Sequence, residues 1–127
     1  MKLVVSERES EALELELGRW RERITASISI AEVLRACRVA SAGGGRAVAR
    51  RVMDQAERVL SAVAFLDTDT PLMWEAGRLD PVGLRTLDAI HLAAALSLGK
   101  DLGSVITYDI RLGAAARQHR LQVLSPN

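Results

Sequence analysis

Asp88 is the only acid in the helical run of residues 84–98, whose other positions are nearly all apolar. A helix that is apolar nearly all round is normally buried, and an ionised carboxylate on it is costly unless a cation, a metal or hydrogen bonds satisfy it. Two readings are open for Asp88: a first-turn acid favoured by the helix dipole and paired with Arg85, or a group with chemistry to do. Glu32 and Asp109 stand in similar settings. Glu32 follows the strand-like residues 24–27, where Ser29 as N-cap and Glu32 three residues on would also make a capping box. Asp109 follows the strand-like residues 104–108 and would equally cap the next helix. All three acids are therefore expected near helix starts, two of them directly after strands.

Open parallel sheets gather such positions in a crevice beyond the carboxyl ends of the strands. Three carboxylates crowded there would repel one another unless a cation intervened. A hard divalent ion, Mg²⁺ or Mn²⁺, prefers oxygen ligands and keeps several waters. Such a site suits metal-assisted attack of water on a phosphodiester. Spacing alone leaves open whether the three acids converge.

The elements that must position them can be read along the chain. A Ser6–Glu9 capping box precedes a helix with Leu13, Leu17 and Trp20 on one face. A second helix covers residues 29–41 and stops at Gly43-Gly44-Gly45; a third runs from Arg46 to about Leu60. Residues 62–66 read as a strand. Thr70 as cap and Pro71 in the first turn open another helix, which runs toward Leu79. The Asp88 helix ends at Gly99; a strand over 104–108, a helix over 110–119 and a last strand over 121–124 complete the chain. Short apolar strands alternating with helices imply an α/β fold with a mostly parallel sheet, in one domain over residues 1–127.

Composition narrows the class. Apolar residues make up 49%, which argues for a folded core, and the formal net charge of +1 gives no global signature of nucleic-acid binding. Lys2 and Lys100 are the only lysines, so the basic side is almost wholly arginine, which permits RNA contact without indicating it. Cys37 is the sole cysteine, excluding an internal disulfide; amid apolar helical neighbours it reads as a small buried thiol. Two histidines and one cysteine offer no zinc spacing, the N-terminus meets charge too soon for a signal-peptide core, and no apolar run is long enough to cross a bilayer. A cytoplasmic protein is expected. Asp67, Asp69 and Asp80 read as loop and cap residues.

The run Leu87-Asp88-Ala89-Ile90-His91-Leu92-Ala93-Ala94-Ala95-Leu96 closely resembles the core motif of the PIN-domain family, in particular the VapC toxins of bacterial toxin–antitoxin pairs. Ile30-Ala31-Glu32-Val33-Leu34-Arg35-Ala36 and Val105-Ile106-Thr107-Tyr108-Asp109-Ile110-Arg111-Leu112 resemble the two flanking motifs, in the same order, and Val123-Leu124-Ser125-Pro126 resembles the family's last strand. The resemblance implies a three-layer PIN-like fold with helices flanking the sheet. It implies a Mg²⁺- or Mn²⁺-dependent ribonuclease, neutralised by a VapB-like antitoxin whose C-terminal segment wraps it, and homodimerisation. Glu32, Asp88 and Asp109 map onto the family's catalytic and metal-binding acids, and Thr107 onto a hydroxyl position beside the last of them. His91, one turn from Asp88, reads as a packing or orienting residue.

One family feature has no counterpart. Family members begin with a strand ending in an aspartate, whereas residues 2–11 here resemble the segment after it. A start lying upstream, a substitute strand over residues 2–5 with Glu7 as ligand, and a toxin that binds its antitoxin without cutting are three explanations. Two readings compete with the nuclease: a catalytically silent module whose acids anchor arginine or lysine of an antitoxin, and a helical interaction domain whose acids merely cap. A surplus of apolar helix face over residues 30–37 and along the third helix suits either core packing or a partner.

Overall fold

The computed structural model describes residues 8–127, and the chain divides into two compact units. One takes the residues up to Phe65 together with Pro126 and Asn127; the other takes residues 66–125. The expectations placed on residues 2–7, including the Ser6 half of the first capping box and Glu7 as ligand, lie outside the described residues.

The N-terminal unit contains α1 (Ser10–Leu17), β1 (Ile24–Ala26), α2 (Ile28–Ser41) and α3 (Gly45–Ser61), and ends in β2 (Ala64–Leu66), whose last residue lies at the boundary. α1 has Glu9 as its N-cap residue without a side-chain cap bond, so Glu9 does not take the inner position that a capping box requires. Trp20, expected on the α1 stripe, lies beyond the helix and donates its indole N–H to Glu16 Oε1 at 3.1 Å. α2 packs on α3. They are joined by a turn in which Gly43 and Gly45 take positive φ (89° and 82°), a backbone state that costs a side-chain-bearing residue free energy. Cys37 and Ala56 are fully buried, and Ser41 is held by a hydrogen bond from its hydroxyl to the Cys37 carbonyl at 2.8 Å. Burial pushes the Cys37 thiol above its usual pKa range, which keeps it unreactive. β1 and β2 pair, with the Ala64 amide donating to the Arg23 carbonyl at 2.8 Å.

The second unit contains α4 (Thr70–Gly77), α5 (Thr86–Ser97), a 3₁₀ turn (Gly99–Asp101), β3 (Val105–Ile106), α6 (Ile110–Gln118) and β4 (Val123–Leu124). Asp69, rather than Thr70, is the N-cap of α4, its Oδ1 accepting from the Leu72 amide at 3.0 Å. Pro71 sits in the first turn as expected. β3 and β4 pair in parallel, Val105 opposite Val123 and Ile106 opposite Leu124, with α6 as the crossover. Gly113 of α6 is buried where a Cβ would touch Val123 and Thr107 at 3.6–3.7 Å, so the helix lies close on the strands. The core centres on Leu92, Ala115 and Ala116, with Leu79, Leu84, Leu96, Leu112, Leu121 and Val123 around them. α5 buries Ala89, Ile90, Leu92, Ala93 and Ala94, as its nearly continuous apolar sequence requires. Helices with short parallel strands make the α/β layout that the sequence implies.

Candidate active site

Asp88 is the third residue of α5 and Asp109 is the N-cap of α6, so both stand at helix N-termini that favour negative charge. The loop before α5 is extended at Arg85, the N-cap position, whose side chain makes no cap bond. It turns instead onto the two acids. Arg85 Nε donates to Asp88 Oδ2 at 3.3 Å, and Arg85 Nη2 donates to Asp109 Oδ2 at 3.4 Å. The Asp88 side chain is 14% exposed, that of Asp109 37%, and that of Arg85 63%. One guanidinium therefore draws together carboxylates 21 residues apart in sequence.

Asp109 is held on its other side as well. Its Oδ1 accepts from the Leu112 amide at 2.9 Å, and its own amide donates to Thr107 Oγ1 at 3.1 Å. Thr107 is fixed in turn: its amide donates to the Leu124 carbonyl at 3.1 Å, and its carbonyl accepts the Ser125 hydroxyl at 2.6 Å. The amide of Leu112 does most to hold the Asp109 carboxyl below the usual range. Desolvation opposes it, while the Arg111 amide and the charges of Arg85 and Arg111 reinforce it. Asp109 is thus a carboxylate at neutral pH. Asp88 Oδ1 has no hydrogen-bond partner among the described residues.

Glu32 belongs to the N-terminal unit, half-buried on α2. The Ser29–Glu32 capping box is not formed. α2 opens one residue earlier with Ser27 at its N-cap, and the Ser29 hydroxyl instead shares a 2.7 Å hydrogen bond with Thr25 Oγ1. His91 is half-buried within α5. Among the described residues no group of three or more His, Cys, Asp and Glu is gathered as a metal cluster. The pair that is gathered still fits a divalent cation in its donor chemistry: two hard carboxylate oxygens already share one positive charge.

Sequence reasoning weighed Arg85 only as a partner for Asp88, three residues away; its reach to Asp109 carries no local signal. Ser125, which the sequence marks only as part of the segment resembling the family's last strand, holds the Thr107 carbonyl from behind.

The PIN domain profile matches residues 2–118, and the chain belongs to that family. It is similar to Ribonuclease VapC46 of Mycobacterium tuberculosis (strain ATCC 25618 / H37Rv), 39% identical over 127 residues, which is 100% of this chain and 92% of that protein. It is also similar to Ribonuclease VapC47 of the CDC 1551 / Oshkosh strain, at 30% identity over 98% of this chain and 90% of that one. Ribonuclease VapC35 of the same strain is 35% identical over 99% of this chain and 90% of its own length.

Proposed function

We propose that this chain is a VapC-type toxin, a divalent-cation-dependent ribonuclease that hydrolyses RNA phosphodiester bonds. The observation that carries the reading is the convergence of Asp88 and Asp109 on one cationic group, within a chain of the PIN family whose relatives are named ribonucleases. Asp88 and Asp109 would hold Mg²⁺ or Mn²⁺. Glu32 joins them as a catalytic and metal-binding acid by its motif position. Bound there, the ion would activate water and offset charge on the phosphodiester oxygens.

The protein's own groups supply the rest. Leu112 and Arg111 amides keep Asp109 ionised, and Thr107 fixes the turn that presents it. We assign Thr107, beyond that structural bond, to the cofactor side of the site. The PIN match crosses both compact units, which supports one domain as the working entity. A cognate VapB-like antitoxin, a homodimeric state and a cytoplasmic location complete the proposal; no described helix is long and apolar enough to cross a membrane.

The test is Mn²⁺-dependent cleavage of a structured RNA by the chain, by Asp88→Asn and by the chain with a chelator. Cleavage by the chain alone, lost in both controls, is the expected result. Equal cleavage by Asp88→Asn would sink the assignment. Glu32→Gln in the same assay reads the share of Glu32.

A further inference from the structure

We propose that Arg85 is a resident counter-ion of the Asp88–Asp109 pair, which a divalent cation displaces and which then contacts a phosphate of the RNA strand. The inference rests on the nuclease reading and goes beyond it by giving Arg85 two alternating partners.

Three observations carry it. First, the Arg85 guanidinium occupies Oδ2 of both acids, so an ion shared by the pair must compete with it. Second, its hold is light. Both distances, 3.3 and 3.4 Å, are long for charge-assisted bonds, each acid gives one oxygen rather than a bidentate face, and the side chain is 63% exposed. Third, helix stability does not explain an arginine here. It stands at the N-cap of α5 without capping it and reaches over the N-terminus of α6, where the helix dipoles disfavour a cation.

Once released, the guanidinium stays at the site because its backbone is fixed directly before α5. A planar fork of donors beside two acids suits phosphate, which guanidinium binds through paired N–H groups. The free pair and the occupied pair would then differ in charge at one point. With Arg85 folded onto the acids, one of the pair's two negative charges is offset from within. With a cation in its place, the arginine adds positive charge toward the substrate.

The experiment measures Mn²⁺ affinity by calorimetry and by electron paramagnetic resonance for the wild type, Arg85→Ala, Arg85→Lys and Asp88→Asn. Circular dichroism serves as the folding control. Arg85→Ala is expected to bind Mn²⁺ roughly three- to tenfold more tightly, the size set by losing two exposed ion pairs. At saturating Mn²⁺ the same variant is expected to raise KM for RNA by about tenfold, one lost charged phosphate contact, with Arg85→Lys between it and the wild type. Equal or weaker Mn²⁺ binding by Arg85→Ala, with wild-type binding that depends on Asp88, would overturn this proposal and leave the nuclease intact. An unchanged KM would do the same. Wild-type Mn²⁺ binding that Asp88→Asn leaves untouched would overturn both readings.

Discussion

Asp109 holds a helix cap with one oxygen and a cation with the other, so substitutions can separate the two tasks. Asp109→Ala removes both and should cost about 1 kcal/mol of stability, the usual worth of an N-cap. Asp109→Asn keeps an acceptor for the Leu112 amide and should cost less, while losing Mn²⁺ affinity as fully as Asp109→Ala. Urea denaturation of the two variants beside metal titration checks the split. The pH dependence has a definite sign. Folding lowers the Asp109 pKa, so its contribution is present above the ordinary carboxylate range and is lost as pH falls through the depressed value. Thermal midpoints followed into acid should therefore fall more steeply for wild type than for Asp109→Asn, by a small margin because the group is partly exposed. Asp88 was legible as a lone first-turn acid in an apolar helix, and its expected pairing with Arg85 is formed. The link from Arg85 to Asp109 was not, because a contact across 24 residues depends on how two helices are docked.

At the level of elements, α5 is the axis of its unit. Leu92 on it is 1% exposed among α6 and β4 residues, and Leu92→Ala should cost about 2–5 kcal/mol, read as a lower urea midpoint with an unchanged slope. Helices were legible because apolar spacing and Gly stops are local signals, and each lies within a few residues of its expected bounds. Strands were over-read for stated reasons. Of residues 104–108 only Val105 and Ile106 pair as strand; the Thr107 amide makes the last bond to the neighbouring strand, and beyond it the Asp109 amide binds the Thr107 hydroxyl instead. Ala62 and Val63 are drawn into the end of α3, where their amides donate to the Val59 and Leu60 carbonyls, leaving β2 to start at Ala64. The acid that follows β3 thus shortens the strand that delivers it.

For the molecule as a whole, a formal charge of +1 means that RNA is not gathered by bulk attraction. Affinity then rests on local cations, among which the proposal above places Arg85. The logarithm of RNA affinity against the logarithm of salt should accordingly have a shallow slope, roughly −1 to −3 for two to four single-strand phosphate contacts. A fluorescence-anisotropy series in KCl measures it, and a steep slope would reveal a broad basic face instead. The family was legible from three motifs in order.

The strand pairing behind Asp109 also bears on synthesis. Val105 donates to the Gln122 carbonyl and Thr107 to the Leu124 carbonyl, and the Ser125 hydroxyl caps the Thr107 carbonyl. Every one of these anchors lies downstream of Asp109 in the chain. On a ribosome the aspartate is therefore made before the hydrogen-bond partners of the strand leading to it. The turn that presents it acquires its frame only once residues 122–125 have left the exit tunnel.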